Sequence, residues 1–213
     1  MVSSTRKPKP ADLMPEQLPA PTLKQAEGEN RGPVERDWIA EARQMLIEGG
    51  VAAVQINPLA ARLKVTRGGF YWRFRNRKDL LNHLLEDWRS GNCRAFMMAL
   101  ERVGSPQERY RRVVRMLVEE RDFDPALDTA VRQWGTVDAE VRKLVNQIDN
   151  ERINGFVKIF LEAGQESTEA TVRARVVYFH QVGYYALGID ESRAERRRLI
   201  STYDRILTGF ALD

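Results

Sequence analysis

With one cysteine, two histidines and no apolar run as long as a membrane span, this 213-residue chain rules out several functions before any motif is read. A lone Cys93 forbids an intrachain disulfide, and so few cysteines and histidines fall short of the ligand set of a structural zinc site. No metal and no cofactor are expected. A spanning helix needs roughly 18 or more consecutive apolar residues, and the opening MVSSTRKPKP is followed by no apolar signal core. A soluble, cytoplasmic protein is expected. The chain has no G-x-x-x-x-G-K-[ST], H-E-x-x-H or G-x-S-x-G, and Cys93 has no histidine partner close in sequence, so no catalytic residue is assigned. Alternating strand patterns bounded by hairpin turns are missing too, which leaves an all-α fold.

Charge is present but nearly balanced overall, with 34 basic against 30 acidic residues and a net charge of +4. Its distribution must therefore carry any argument about partners. Proline divides the chain: six of its nine prolines lie in residues 1–33, where no helical or strand period survives, and a disordered tail is expected there. The Arg6, Lys7 and Lys9 cluster of that tail either reaches a DNA groove as a basic arm or is simply solvated. Beyond it, Pro58, Pro106 and Pro125 can each sit in the first turn of a helix, where a missing N–H costs nothing.

A first helix over about residues 34–48 puts Trp38, Ile39, Ala42, Met45 and Leu46 on one face, and Gly49-Gly50 closes it. A short helix follows, capped by Asn57 ahead of Pro58 and carrying Leu59, Ala60 and Leu63 inward. Lys64-Val65-Thr66 then turns the chain, with Val65 expected in the core and the Thr66 hydroxyl capping a third helix over about 67–74. Two short helices around a tight turn, buttressed by an amphipathic one, are the geometry that lays the second helix in a major groove. Between Ile56 and Lys78 stand Arg62, Lys64, Arg67, Arg73, Arg75, Arg77 and Lys78 with no acidic residue among them. Ordinary helix surfaces mix signs, so an acid-free run interleaved with Tyr71 and Trp72 points to phosphates. Gly68 and Gly69 each cost a helix about 1 kcal/mol relative to alanine. They leave the backbone bare for close approach, and Arg67 becomes the candidate for reading a guanine.

These residues carry a resemblance. The segment GVAAVQINPLAARLKVTRGGFYWRFRNRKDLL resembles the DNA-binding domain of the TetR family of repressors. The likeness runs from Trp38 to Leu81 and rests on Gly50, Leu59-Ala60, Val65-Thr66, Phe70-Tyr71, Phe74, Lys78 and Leu80-Leu81. It implies DNA contacts from Gln55, Thr66, Arg67, Gly68, Gly69, Tyr71, Trp72 and Lys78, and core roles for Phe70, Phe74 and Leu81. Gln55 stands where the family often has threonine, Lys64 where it usually has glycine, and Trp72 where histidine is frequent. Trp72 either packs on sugar and phosphate or buries itself against its own domain.

The resemblance further implies three segments: the tail over 1–33, a DNA-binding head over 34–81, and a ligand-binding and dimerisation body over 82–213. About nine helices are expected in all. One long helix runs from 77 to about 103, and others open at Pro106 and Pro125 and near 137, 169 and 192. Leu199, Tyr203, Ile206 and Phe210 align on the last helix as a candidate homodimer interface, with a core-only role open for some of them. Phe123, Trp134, Phe156, Phe160, Tyr178, His180 and Tyr184 are candidates for a small-molecule effector pocket, although aromatics at helical spacing more often serve as core. The function implied is a repressor that binds an inverted repeat in double-stranded DNA as a dimer and is released by an effector. The alternative is a helical adaptor whose basic surface meets an acidic protein or a membrane.

Overall fold

The computed structural model describes residues 33–210, with side chains from Trp38 onward. The tail and its Arg6, Lys7 and Lys9 lie outside the described residues. The described residues are helical and contain no strand. In order they form α1 (Pro33–Ala53), α2 (Ile56–Arg62), α3 (Arg67–Tyr71), α4 (Arg77–Trp88), α5 (Arg94–Glu101), α6 (Pro106–Glu119), α7 (Pro125–Val137), α8 (Ala139–Glu162), α9 (Ser167–Ala186) and α10 (Arg193–Thr208). A π-helical turn, Arg89–Cys93, joins α4 to α5 without leaving helical geometry, so these two form one rod and the described residues hold nine rods.

Local chemistry explains where the helices begin. Pro106 and Pro125 each occupy a first turn, behind a Ser105–Glu108 capping box and an Asp124 cap on the Leu127 amide respectively. Asn76, Asp138 and Ser192 cap α4, α8 and α10 through their side chains. Pro58 also falls in a first turn, but α2 begins earlier than expected: Gln55, not Asn57, is its cap residue. In α1 the backbone leaves helical geometry at Gly50 (φ 68°, ψ −178°), and one further turn follows.

Two cores hold the rods. One joins the α1–α4 head to the near ends of α7 and α8: Trp38, Leu46, Leu59, Phe70, Phe74, Leu80 and Trp88 are continuous with Leu127, Val131, Trp134, Val145 and Ile148. The other, around Phe96, Tyr110, Phe156, Phe160, Tyr178 and Phe210, fills the space between α5, α6, α8, α9 and α10. The π turn serves the junction, because its extra residue aims the buried Asn92 side chain at Asp124. There Asn92 Nδ2 donates to the Asp124 carbonyl (2.7 Å) and Asn92 Oδ1 accepts from the Asp124 amide (2.9 Å).

Candidate nucleic-acid interface and ligand cavities

In the head, Phe70 and Phe74 anchor α3 on Trp38 with ring centroids 5.7 and 6.3 Å away, and burying that edge turns the opposite edge of α3 to solvent. The turn before α3 is a Schellman closure. The Val65 amide donates to the Ala60 carbonyl (3.0 Å), the Lys64 amide to the Ala61 carbonyl (3.1 Å), and Lys64 takes the left-handed position at φ 56°. This geometry carries Val65 outward to 41% exposure, against the expectation that it fills the core. Thr66 caps α3 by position alone, since its hydroxyl makes no capping bond.

Around that turn Thr66, Arg67, Gly68, Tyr71 and Lys78 are exposed, and Gly69 is half-buried. Trp72 is 86% exposed, so burial against its own domain is excluded. Gln55 is exposed nearby, its amide donating to the Ala52 carbonyl at 2.9 Å. Arg67 lies over the Tyr71 ring (5.4 Å) and donates to its hydroxyl (3.0 Å). An added methyl at Gly68 would approach only Thr66 Oγ1 at 3.6 Å, and one at Gly69 only Trp38 at 3.9 Å. Packing within the head therefore gives no reason for either glycine.

Two of the seven basic residues are engaged by partners within the protein. Arg62 pairs with Glu41 (3.0 Å) and Glu48 (2.8 Å), and Arg77 donates to the Val54 carbonyl (2.6 Å) and to that of Val51, tying α4 to the end of α1. Lys64, Arg67, Arg73, Arg75 and Lys78 have no acidic partner among the described residues.

Two neighbouring cavities lie in the body. The first, about 80 Å³, lies between α6, α9 and α10, and its walls include Phe156, Tyr178, His180 and Tyr184 from the expected pocket. Sequence reasoning missed Tyr110 and Asp204 there: the Tyr110 hydroxyl donates to Asp204 Oδ1 at 3.0 Å, and burial pushes the Asp204 carboxyl up. Burial also lowers His180, whose ring lies 4.9 Å from that of Tyr203. The second cavity, about 310 Å³, is lined by Phe123, Tyr178 and the ion cluster of α7 and α8.

In that cluster Arg152, 1% exposed, pairs with Asp128 (3.1 Å), while Arg132 reaches Asp128 (3.0 Å) and Asp149 (2.7 Å). Burial works to raise the Asp128 carboxyl, but Arg152 and Arg132 outweigh it and hold the group below its ordinary value. Trp88 of α4 donates to the same carboxylate at 3.0 Å.

The structure places Trp134 in the head–body core and Phe160 against Tyr110 and Phe210, and neither lines these two cavities. Phe210 is itself buried, because Gly209 turns the chain at φ 66° where α10 ends. Leu199 is half-buried, whereas Tyr203 and Ile206 are 42% and 62% exposed. On the neighbouring helix α9, Val172, Val176 and Phe179 form a second exposed apolar row that the sequence reading did not single out.

The model of the bacterial regulatory proteins of the tetR family matches residues 39–84, which take in most of α1, all of α2 and α3 and the first part of α4. The chain is 33% identical to the tetracycline repressor protein class A from transposon 1721 of Escherichia coli. That alignment of 114 positions covers 45% of this chain and 50% of the relative. The chain is thus similar, over residues 39–84, to the tetR family of bacterial regulatory proteins. It spans about half the length of that curated TetR relative, while the fold likeness to solved structures extends much further. The fatty acid degradation regulator FadR from Bacillus halodurans superposes with a TM-score of 0.61 at 16% identity, over 86% of this chain and 98% of its own. FadR from Bacillus subtilis, in complex with stearoyl-CoA, gives 0.57 at 16% identity over 82% and 98%. The body of this chain thus shares their helical fold.

Proposed function

We propose that the chain is a transcriptional repressor of the cytoplasm that binds an inverted repeat in double-stranded DNA as a homodimer and is released by a small molecule. It acts by binding, not by catalysis. The observation that carries the reading is the solvent edge of α3, where Arg67, Tyr71 and Trp72 flank a bare glycine backbone. Close to it in sequence, Lys64, Arg67, Arg73, Arg75 and Lys78 have no acidic partner among the described residues. In this reading residues 34–81 are the reader. Arg67 addresses a base; Gln55, Thr66, Tyr71, Trp72 and Lys78 hold the backbone, and Gly68-Gly69 lets the helix approach.

Residues 82–213 form the sensor and the dimer contact. One head buries too little surface for a unique site, whereas two heads about one helical turn apart read a pseudo-palindrome. The exposed rows Val172, Val176 and Phe179 of α9 and Tyr203 and Ile206 of α10 supply an apolar face for a second copy of the chain. The two cavities supply room for an effector, and the stearoyl-CoA complex of the Bacillus subtilis neighbour supports a body of this fold as a ligand receiver. Selection of bound sequences from a random DNA pool tests the reading: enrichment of an inverted repeat is expected, and retention without sequence preference overturns it.

A further inference from the structure

The two cavities share Phe96, Leu117, Tyr178 and Gln181, and the larger one ends on the buried ion cluster. In charge that cluster is closed: Arg132 and Arg152 face Asp128 and Asp149, two cations against two carboxylates. Cys93 beside it adds no charge, since burial pushes its thiol up to about 12. In hydrogen bonding the cluster is open. Arg152 directs its Nη groups to Asp128, the Tyr178 hydroxyl and the Cys93 sulfur, and its buried Nε–H has no partner. Gln181 Nε2, buried on the shared wall, has none either. A buried donor left unpaired typically costs about 1–3 kcal/mol, so two of them on residues that line one cavity call for an acceptor supplied from outside.

We propose that this cavity takes a neutral, largely apolar molecule carrying a carbonyl-type acceptor, received by Arg152 Nε and Gln181 Nε2. Phe96, Leu117, Phe123 and Val182 supply the apolar walls. An anion would bring an uncompensated charge into a desolvated cluster that is already neutral, and a cation would find both carboxylates engaged. The inference rests on the body being a ligand sensor and names the class of ligand sensed.

Titrating the full chain with cyclohexanone, methylcyclohexane and cyclohexanecarboxylate, followed by ligand-observed NMR, tests it. The ketone should bind about tenfold more tightly than the hydrocarbon, as one good hydrogen bond allows, and the carboxylate no better than the hydrocarbon. Gln181→Met should cut the ketone's advantage and leave hydrocarbon binding in place. Gln181→Glu, which replaces the donor with an acceptor, should cut it as well. A carboxylate that binds tightest, an undiminished ketone preference in both variants, or no saturable binding of any probe overturns the proposal. Adding the selected inverted repeat separates the two readings: ketone binding that leaves the DNA complex intact supports the ligand chemistry and counts against the sensing role.

Discussion

Replacing Gly68 by alanine should move stability and DNA affinity in opposite directions. In the folded protein the new methyl meets nothing nearer than Thr66 Oγ1 at 3.6 Å, and the residue is exposed in α3. Alanine in a helix is favoured over glycine by up to about 1 kcal/mol, which for a chain of this size raises Tm by roughly 2–4 °C. On DNA the same methyl stands where the helix backbone is proposed to come closest. A clash of about 1 kcal/mol per head counts twice in a dimer, so affinity should fall about thirtyfold. Thermal melting and fluorescence anisotropy with the selected inverted repeat read the two effects separately. A variant that melts higher but binds as before refutes the close approach, and one that melts lower refutes the claim that the fold has no need of this glycine.

Lys64→Gly should stabilise the head by about 1 kcal/mol, because lysine holds a left-handed position at φ 56° that glycine adopts freely; chemical denaturation checks this. Arg67→Ala should relax preference at one base position, whereas Lys78→Ala should weaken all sequences alike and lower the salt dependence by about one ion. Competition binding at two salt concentrations distinguishes them, and equal sequence-independent losses would refute the assignment of Arg67. Phe179→Glu, at a residue 58% exposed on α9, should shift a dimer to monomer in sedimentation without lowering Tm by more than a few degrees. His180 is depressed by burial, so the unfolded chain binds its proton first as pH falls. Stability should therefore hold above the ordinary histidine value near 6.5 and fall below it, and His180→Gln should flatten that fall.

The starts of α6 and α7 were legible because their signals are local: Pro106 behind Ser105 and Pro125 behind Asp124 announce themselves within four residues. The solvent edge of α3 was legible for the same reason, since the unmixed charge around it needs no tertiary knowledge. What sequence concealed depends on distant partners or on the direction of a turn. Arg62 and Arg77 look like phosphate ligands until Glu41, Glu48 and the carbonyls at the end of α1 are found beside them. Val65 looks like a core residue until the Schellman turn rotates it outward, and Phe210 continues the row of Tyr203 and Ile206 until Gly209 redirects it. Arg152 was invisible as a buried group because charge ordinarily marks surface, and only the pairing with Asp128, 24 residues earlier, allows it inside.

The core shared by Trp38, Trp88, Val131 and Trp134 has an engineering consequence. A fragment cut after the first four helices would expose the face that α7 and α8 normally cover, so it should aggregate when expressed alone. Grafting this head onto another body would require carrying Leu127, Val131, Trp134, Val145 and Ile148 with it, as a single transplanted block.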